Sequence, residues 1–234
     1  TDVPVRFVRD GLPFVLNPAA MGQPDANLYV SGAANGVIDL ENQGDRLLVS
    51  VTGYGTFYRT QTALNTGIVE FKAGPQYNLG RIKLENSTAS VYGILSGAVA
   101  GGSAYFVSAG VGGNVVLGID ARSQLVLKGE ARAETYINSP MRPTVALRSG
   151  PLVLGSLTYQ YALTPRLDVY VTGALERRVG QTPFLSSWQA GGEVGANFAI
   201  ASPIESIPAP WRLGFSAGVQ RQLADGPDPI ISAT

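Results

Sequence analysis

Many consecutive segments of this chain alternate apolar and polar residues. In "QLVLKGEARAETY" (124–136) one set of alternate positions is apolar or small, and the other carries Lys128, Glu130, Arg132 and Glu134. Successive side chains of a β-strand point to opposite faces. Such a segment therefore predicts a strand with one apolar face and one charged face.

The same period-two pattern, interrupted by turn residues, predicts about ten strands. Most of them are about 11 to 15 residues long, whereas soluble strands average about 5 or 6 and a tilted membrane-spanning strand needs about 9 to 11. These lengths favour strands that cross a bilayer. The predicted strands are residues 27–40, 46–59, 67–78, 82–98, 103–119, 124–137, 152–162, 166–179, 187–200 and 211–223.

The composition of the two faces points the same way. In "RLDVYVTGALERR", Leu167, Val169 and Val171 oppose Asp168 and Glu176. The polar sides mix Ser, Thr, Gln, Asn, Gly and paired charges, whereas the solvent face of a soluble sandwich is rich in Lys and Glu. A polar interior and a lipid-facing exterior explain both faces. The sequence therefore predicts an all-β fold, a transmembrane antiparallel up-and-down β-barrel.

Aromatic residues lie near the ends of the predicted strands, as in the interfacial girdles of membrane barrels. They are Tyr54, Phe57, Tyr58, Tyr77, Tyr105, Tyr136, Tyr159, Tyr161, Trp188 and Trp211.

The connections alternate in length, as short periplasmic turns and longer external loops do. The short ones are 78–81, 120–123 and 163–166; the longer ones are 137–151 and 180–187. Segment 201–210 is long although it falls on the short-turn side. With this assignment strand 211–223 runs outward, so we expect closing strands after it. Residues 224–234 contain no strand pattern, and we interpret them as a loop leading to missing strands of a barrel with about twelve strands, ten of them visible here.

The first residues lack the basic region and apolar core of a signal peptide, so the chain is either numbered after cleavage or cut from something longer. Residues 1–26 contain four prolines and allow three interpretations: a periplasmic linker, a plug inside the barrel, or a first strand around "PVRFV". A linker followed by a first strand is favoured. Residues 27–223 form the predicted barrel.

Composition excludes several classes of function. The chain has 17 basic and 17 acidic residues, and this zero net charge argues against nucleic-acid binding. It has no Cys and no His, which excludes disulfides, thiolate nucleophiles, Cys/His zinc sites and a Ser-His-Asp triad. The chain has no run of 18 or more apolar residues, so the sequence predicts no membrane-spanning helix. The 29 Gly and 10 Tyr suit a sheet-rich structure.

The charged residues on the polar faces are the candidate functional residues. They either line a polar conduit and set its ion preference, or pair across strands and fill a narrow interior. Both interpretations remain open. The predicted lumen-lining residues are Glu70, Lys72, Lys128, Glu130, Arg132, Glu134, Asp168, Glu176, Arg178, Glu193 and Arg212.

Enzymatic chemistry has weak support. Two inward positions separate Glu130 from Glu134, and a strand rises about 6.8 Å for every two residues, so we weigh the paired-carboxylate arrangement of glycosidases. Arg132 lies between them and offers both a partner. The Gly-rich "GVGGN" (110–114) lies inside a strand pattern with no helix after it, so it does not predict a nucleotide site. We predict no catalytic, cofactor-binding or metal-binding residues.

Three segments together resemble a known family. They are "FKAGPQYNLGR", "LTYQYALTPRLDVYVTGALERR" and "WQAGGEVGANFAIASPIESIPAPWRLGFSAGVQRQLADGPDP". Their spacing, a "GP" before a turn, the "TPR" turn and the Pro-Trp restart of a strand resemble the C-terminal barrel of proteobacterial outer-membrane proteins, such as those similar to surface lipoprotein assembly modifiers. That barrel often follows tetratricopeptide repeats or a FecR-like domain. The resemblance covers about residues 45–229; neither repeats nor FecR-like sequence precede the barrel here.

These observations predict an integral protein of the bacterial outer membrane, in a Gram-negative cell envelope. Its expected role is a membrane scaffold or translocation channel for a larger assembly, without enzymatic activity. The alternatives are a small passive porin for polar solutes and a soluble β-barrel or sandwich that binds a ligand. The expected partners are outer-membrane lipids and periplasmic or surface proteins, with no nucleic acid.

Overall fold

Ten long strands form one antiparallel sheet in which neighbours along the chain are neighbours in the sheet. The computed structural model describes residues 26–40, 44–200 and 211–226, and the backbone of 6–9 and 12–15. A separate hairpin of β1 (Arg6–Arg9) and β2 (Leu12–Val15) comes first. The ten strands are β3 (Asn27–Leu40), β4 (Asp45–Tyr58), β5 (Thr66–Asn78), β6 (Thr88–Ala100), β7 (Ser103–Gly118), β8 (Ser123–Tyr136), β9 (Gly150–Thr164), β10 (Leu167–Arg178), β11 (Ser187–Ile200) and β12 (Trp211–Ala224).

The predicted all-β class and up-and-down strand order are confirmed, and all ten predicted strands are present. Within the described residues, the hydrogen-bonded order ends at β3 on one side and at β12 on the other. Closure of this sheet into a barrel therefore stays a prediction. No helix in the described part of the chain is long and apolar enough to cross a membrane.

The predicted strand 82–98 begins later than expected, at Thr88. Residues Leu79–Ile82 form a 3-10 turn instead, in which the Asn78 side chain accepts a hydrogen bond from the backbone N–H of Gly80. Lys83 and Asn86 follow with positive φ angles of 66° and 55°. A left-handed backbone cannot continue a strand, so apolar residues on either side of Lys83 imitate a strand pattern without forming one.

The predicted alternation of short and long connections holds only in part. Turns 119–122 and 165–166 are short, and loops 137–149 and 179–186 are long and lie at the opposite end of the sheet, which we call the loop end. The prediction is wrong for the β5–β6 connection, which runs over 79–87. It is also wrong at the loop end, where Gly101 and Gly102 join β6 to β7 in a two-residue turn with φ angles of 59° and 75°.

Two other predictions fall largely outside the described residues. Segment 1–26 was predicted as a linker, a plug or a first strand, and the structure describes only the backbone of β1 and β2 and residue Ala26 of it. β1 pairs with β2 in a two-stranded sheet of its own. The long segment 201–210, and the predicted loop 224–234 beyond Gly226, lie outside the described residues as well.

The sheet curves toward the face that carries the charges. We call it the polar face, and the opposite one the apolar face. Lys72 on β5 contacts Glu130 on β8 at 2.8 Å, although three strand spacings in a flat sheet separate such positions by about 14 Å. On the convex side, Leu127 is 54% exposed and Val111 is 61% exposed. The apolar side chains therefore cover the outside of the curve.

Two tyrosines on the polar face lie over glycines of the neighbouring strand. Tyr92 is the register partner of Gly112, and Tyr170 is the register partner of Gly195. A Cβ atom added to either glycine would overlap the ring of its partner tyrosine. These glycines therefore provide the space in which the aromatic rings lie flat on the curved sheet.

We expect Gly112→Ala to destabilise the fold by about 1 to 3 kcal/mol, because the new methyl group would displace the Tyr92 ring. Gly173→Ala on β10 is the matched control. Apart from the two neighbouring residues in the chain, no heavy atom lies within 4 Å of the Cβ added there. Urea unfolding followed by the fluorescence of Trp188 and Trp211 measures both. Equal unfolding midpoints for the two variants would contradict the packing role of Gly112.

Candidate functional site

Five of the predicted residues form one network of ion pairs on the polar face. We call Glu70, Lys72, Lys128, Glu130 and Arg132 the charge cluster. Lys72 Nζ lies 2.9 Å from Glu70 and 2.8 Å from Glu130, and Lys128 Nζ lies 3.0 Å from Glu130. Arg132 donates to both carboxylates. The cluster joins β5 to β8 across the two strands between them.

Glu130 is the centre of this cluster. Its side chain is 0% exposed, and both carboxylate oxygens accept hydrogen bonds. Tyr92, which lies under the Lys72 ammonium, donates its hydroxyl to Glu130 at 3.0 Å. A buried carboxylate is stable only when it is paired and hydrogen-bonded. Because three cations face two carboxylates, the cluster carries one net positive charge.

A second group of charges lies closer to the loop end. Arg178 on β10 donates to Glu134 on β8 and, at 2.9 Å, to the hydroxyl of Tyr136. That hydroxyl donates to Glu134 at 3.2 Å. Glu176 lies 3.6 Å from the Arg178 guanidinium. The two carboxylates considered for acid–base chemistry, Glu130 and Glu134, are thus each bound to an arginine.

The other three predicted residues lie on the polar face but outside both groups. Asp168 accepts hydrogen bonds from Gln160 at 2.9 Å and from Asn197 at 2.8 Å. Glu193 accepts one from Tyr170 at 2.5 Å. Arg212 lies near the start of β12, opposite Ala199. The register therefore places all eleven predicted residues on one face, as their alternation predicted.

The loop end of the polar face is apolar and covered by a loop. Ala98, Phe106, Tyr136 and Val145 are buried together and pack against Tyr54, Ile68 and Tyr105; we call these residues the end cluster. Val145 belongs to loop 137–149, which folds over the strands. Arg142 of this loop donates to the backbone oxygens of Ala100 at 3.0 Å and Ala63 at 3.2 Å.

The end cluster corrects part of the aromatic girdle prediction. Tyr54 and Tyr136 were predicted at a membrane interface, but both lie on the polar face in the end cluster. Both residues have even numbers, as the polar side chains of their strands do, so the alternation already indicated the polar face. The sequence pattern gave no signal that Val145 would join them, because loop 137–149 has no periodicity.

Two carboxylates outside the strands stabilise the connections. The hydroxyl of Ser123 and the backbone N–H groups of Arg122 and Ser123 bind the Asp120 carboxylate and hold its pKa below the usual range. Arg177 forms two hydrogen bonds of 2.6 Å with Asp225 and lowers the pKa of that carboxyl. The second pair ties the end of β12 to β10.

No group of three or more metal-ligating side chains occurs among the residues that the structure describes. No family model, curated protein or solved structure matches the chain. The resemblance to outer-membrane barrels of the surface lipoprotein assembly modifier type stays a prediction.

We expect Glu130→Gln to lower the free energy of unfolding by about 3 kcal/mol, because it leaves three cations around a neutral, buried amide. Asp39→Asn is the control: it removes one carboxylate from an exposed pair with Arg46, which is worth less than about 1 kcal/mol. Urea unfolding of both variants provides the measurement. A loss for Glu130→Gln no larger than that for Asp39→Asn would show that the cluster does not stabilise the sheet.

Proposed function

We propose that this chain forms the wall of an outer-membrane β-barrel and acts as a membrane-embedded scaffold or translocation channel for a larger cell-envelope assembly. The observation that carries the proposal is the exposure of the two faces, which is the reverse of that in a water-soluble protein. Apolar side chains such as Leu127 are exposed on the convex side, while the Glu130 side chain is buried on the concave side. Exposed apolar surface of this extent marks contact with a membrane or a protein.

Strand length supports a membrane rather than a protein as the contact. The ten strands have between 12 and 16 residues, more than the 9 to 11 or so that a tilted strand needs to cross a bilayer. Strands of a soluble binding module average about 5 or 6 residues. An apolar face that extends along nine hairpin pairings offers lipid a continuous surface.

Closure supports the same proposal. β3 and β12 each contain 14 residues and run antiparallel to each other, because an even number of strands separates the two ends of the sheet. They can therefore pair directly or accept further strands between them. In a bilayer every backbone N–H and C=O must have a partner, so spanning sheets are closed.

The filled part of the polar face favours a scaffold or translocation channel over a passive porin. Between β5 and β8 the interior is occupied by the charge cluster and by Ile94, which is 1% exposed. Above them the end cluster and loop 137–149 cover the loop end. A passive porin would instead need an unobstructed polar path from end to end.

Site-directed spin labelling tests this proposal, since the chain contains no cysteine to remove. Leu157→Cys and Ser156→Cys are neighbours on β9 that face opposite sides of the sheet. When the chain is refolded into lipid vesicles, we expect a nitroxide at position 157 to be more accessible to oxygen than to a water-soluble nickel reagent. At 156 we expect low oxygen accessibility. Planar-bilayer recordings on the same preparation should show no steady conductance.

Two outcomes contradict the proposal. A chain that stays folded and monomeric without detergent, with both labels exposed to water, indicates a soluble binding module. A chain that inserts and conducts steadily, without any added trigger, indicates a passive porin.

A further inference from the structure

Small side chains leave a pocket on the polar face beside the charge cluster. One row of register partners crosses from β8 to β12 through Lys128, Ser156, Ala174, Gly191 and Gln220. The three middle residues are small, so the pocket above them has a volume of about 260 Å³. Leu154, Glu176 and Gln189 from the adjacent row, together with Gly155 and Leu175, complete its lining. The polar face is thus open at this row, whereas the β5–β8 half is filled.

The polar groups of the pocket have unused hydrogen-bonding capacity. Several carboxamides elsewhere on the polar face are engaged: Gln124 donates to Gln160 at 2.8 Å, and Gln222 donates to Ser187 at 3.1 Å. In the described part of the chain, the side chains of Gln189, Gln220 and Ser156 have no hydrogen-bond partner. Polar side chains that line a concave site and lack partners are available to a ligand.

The charges beside these groups balance each other. Lys128 is 40% exposed along its side chain and contacts one carboxylate, while Glu176 is 23% exposed and lies 3.6 Å from its arginine. The charge cluster carries one net positive charge, and Arg178 with Glu134 and Glu176 carries one net negative charge. The surroundings of the pocket are therefore neutral overall and offer no preference for an ion. Carboxamides and hydroxyls each donate and accept hydrogen bonds, as the hydroxyl groups of a sugar do.

We propose that this pocket binds a small, neutral, polyhydroxylated solute of about the size of a monosaccharide. The proposal rests on the proposed function in one respect, since closure of the barrel turns the pocket into part of its interior. Ligand binding is a role that the open row can have and that the filled β5–β8 half of the polar face cannot have.

Binding of D-glucose to the full chain, refolded in a sugar-free amine-oxide detergent, tests this site. We expect saturation transfer from protein to glucose in NMR spectra, and a millimolar Kd by isothermal titration. Ala174→Phe should weaken binding at least about tenfold, because the ring fills the pocket. Ala190→Phe on the apolar face of β11 is the matched control and should bind as the unmodified chain does. Gln189→Leu, which removes a carboxamide and keeps its size, decides the question if Ala174→Phe fails to fold.

Three results would overturn the site. They are absence of saturation transfer to glucose in the folded chain, equal affinity in the Ala174→Phe or Gln189→Leu variant, and preferential binding of glycine, which would show recognition of a zwitterion. A chain that inserts into vesicles but fails these tests refutes the sugar site and leaves the membrane proposal standing. A water-soluble chain refutes the membrane proposal directly.

Discussion

The burial of Glu130 among Lys72, Lys128 and Arg132 depends on the register of every hairpin between β5 and β8. Side chains alternate between faces with a period of two, so a slip of one residue in any of these hairpins would move a partner to the opposite face. Glu130 would then be a buried carboxylate without enough cations, which is strongly unfavourable. The ion pairs thus select one register among those that backbone hydrogen bonding alone would allow.

The same network makes the two halves of the polar face different. Tyr92 packs into the space above Gly112 and donates to Glu130, so the β5–β8 half is filled by side chains that hold one another. From β9 to β11 the corresponding positions carry Ser156, Ala174 and Gly191, which fill little space. A sheet with uniform composition on this face would be plugged throughout or open throughout. The polar face of this sheet can be rigid between β5 and β8 and accessible at the row of small residues.

Alternation alone was sufficient to predict that ten strands exist and to place the eleven predicted lumen-lining residues on one face, although it misplaced the start of β6. It could not predict which charges pair, because Lys72 and Glu130 are 58 residues apart and meet only through the curvature of the sheet. The space that Gly112 leaves for the Tyr92 ring could not be predicted either, because it requires knowledge of the opposing residue. The backbone at Lys83 and the docking of Val145 were likewise invisible to a periodic pattern, since neither lies in a strand.

Water suits the edges of this sheet and not its apolar face, whereas a bilayer suits the apolar face and not unpaired edges. In water the free edges of β3 and β12 can be hydrated, but the exposed apolar face is costly at about 25 cal/mol for each Å². In a bilayer the apolar face is favourable, whereas each 14-residue edge would leave about seven N–H and seven C=O groups unpaired, at several kcal/mol for each group. Only pairing of the edges removes that cost. A bilayer would therefore suit the faces of this sheet, and closure would satisfy its edges.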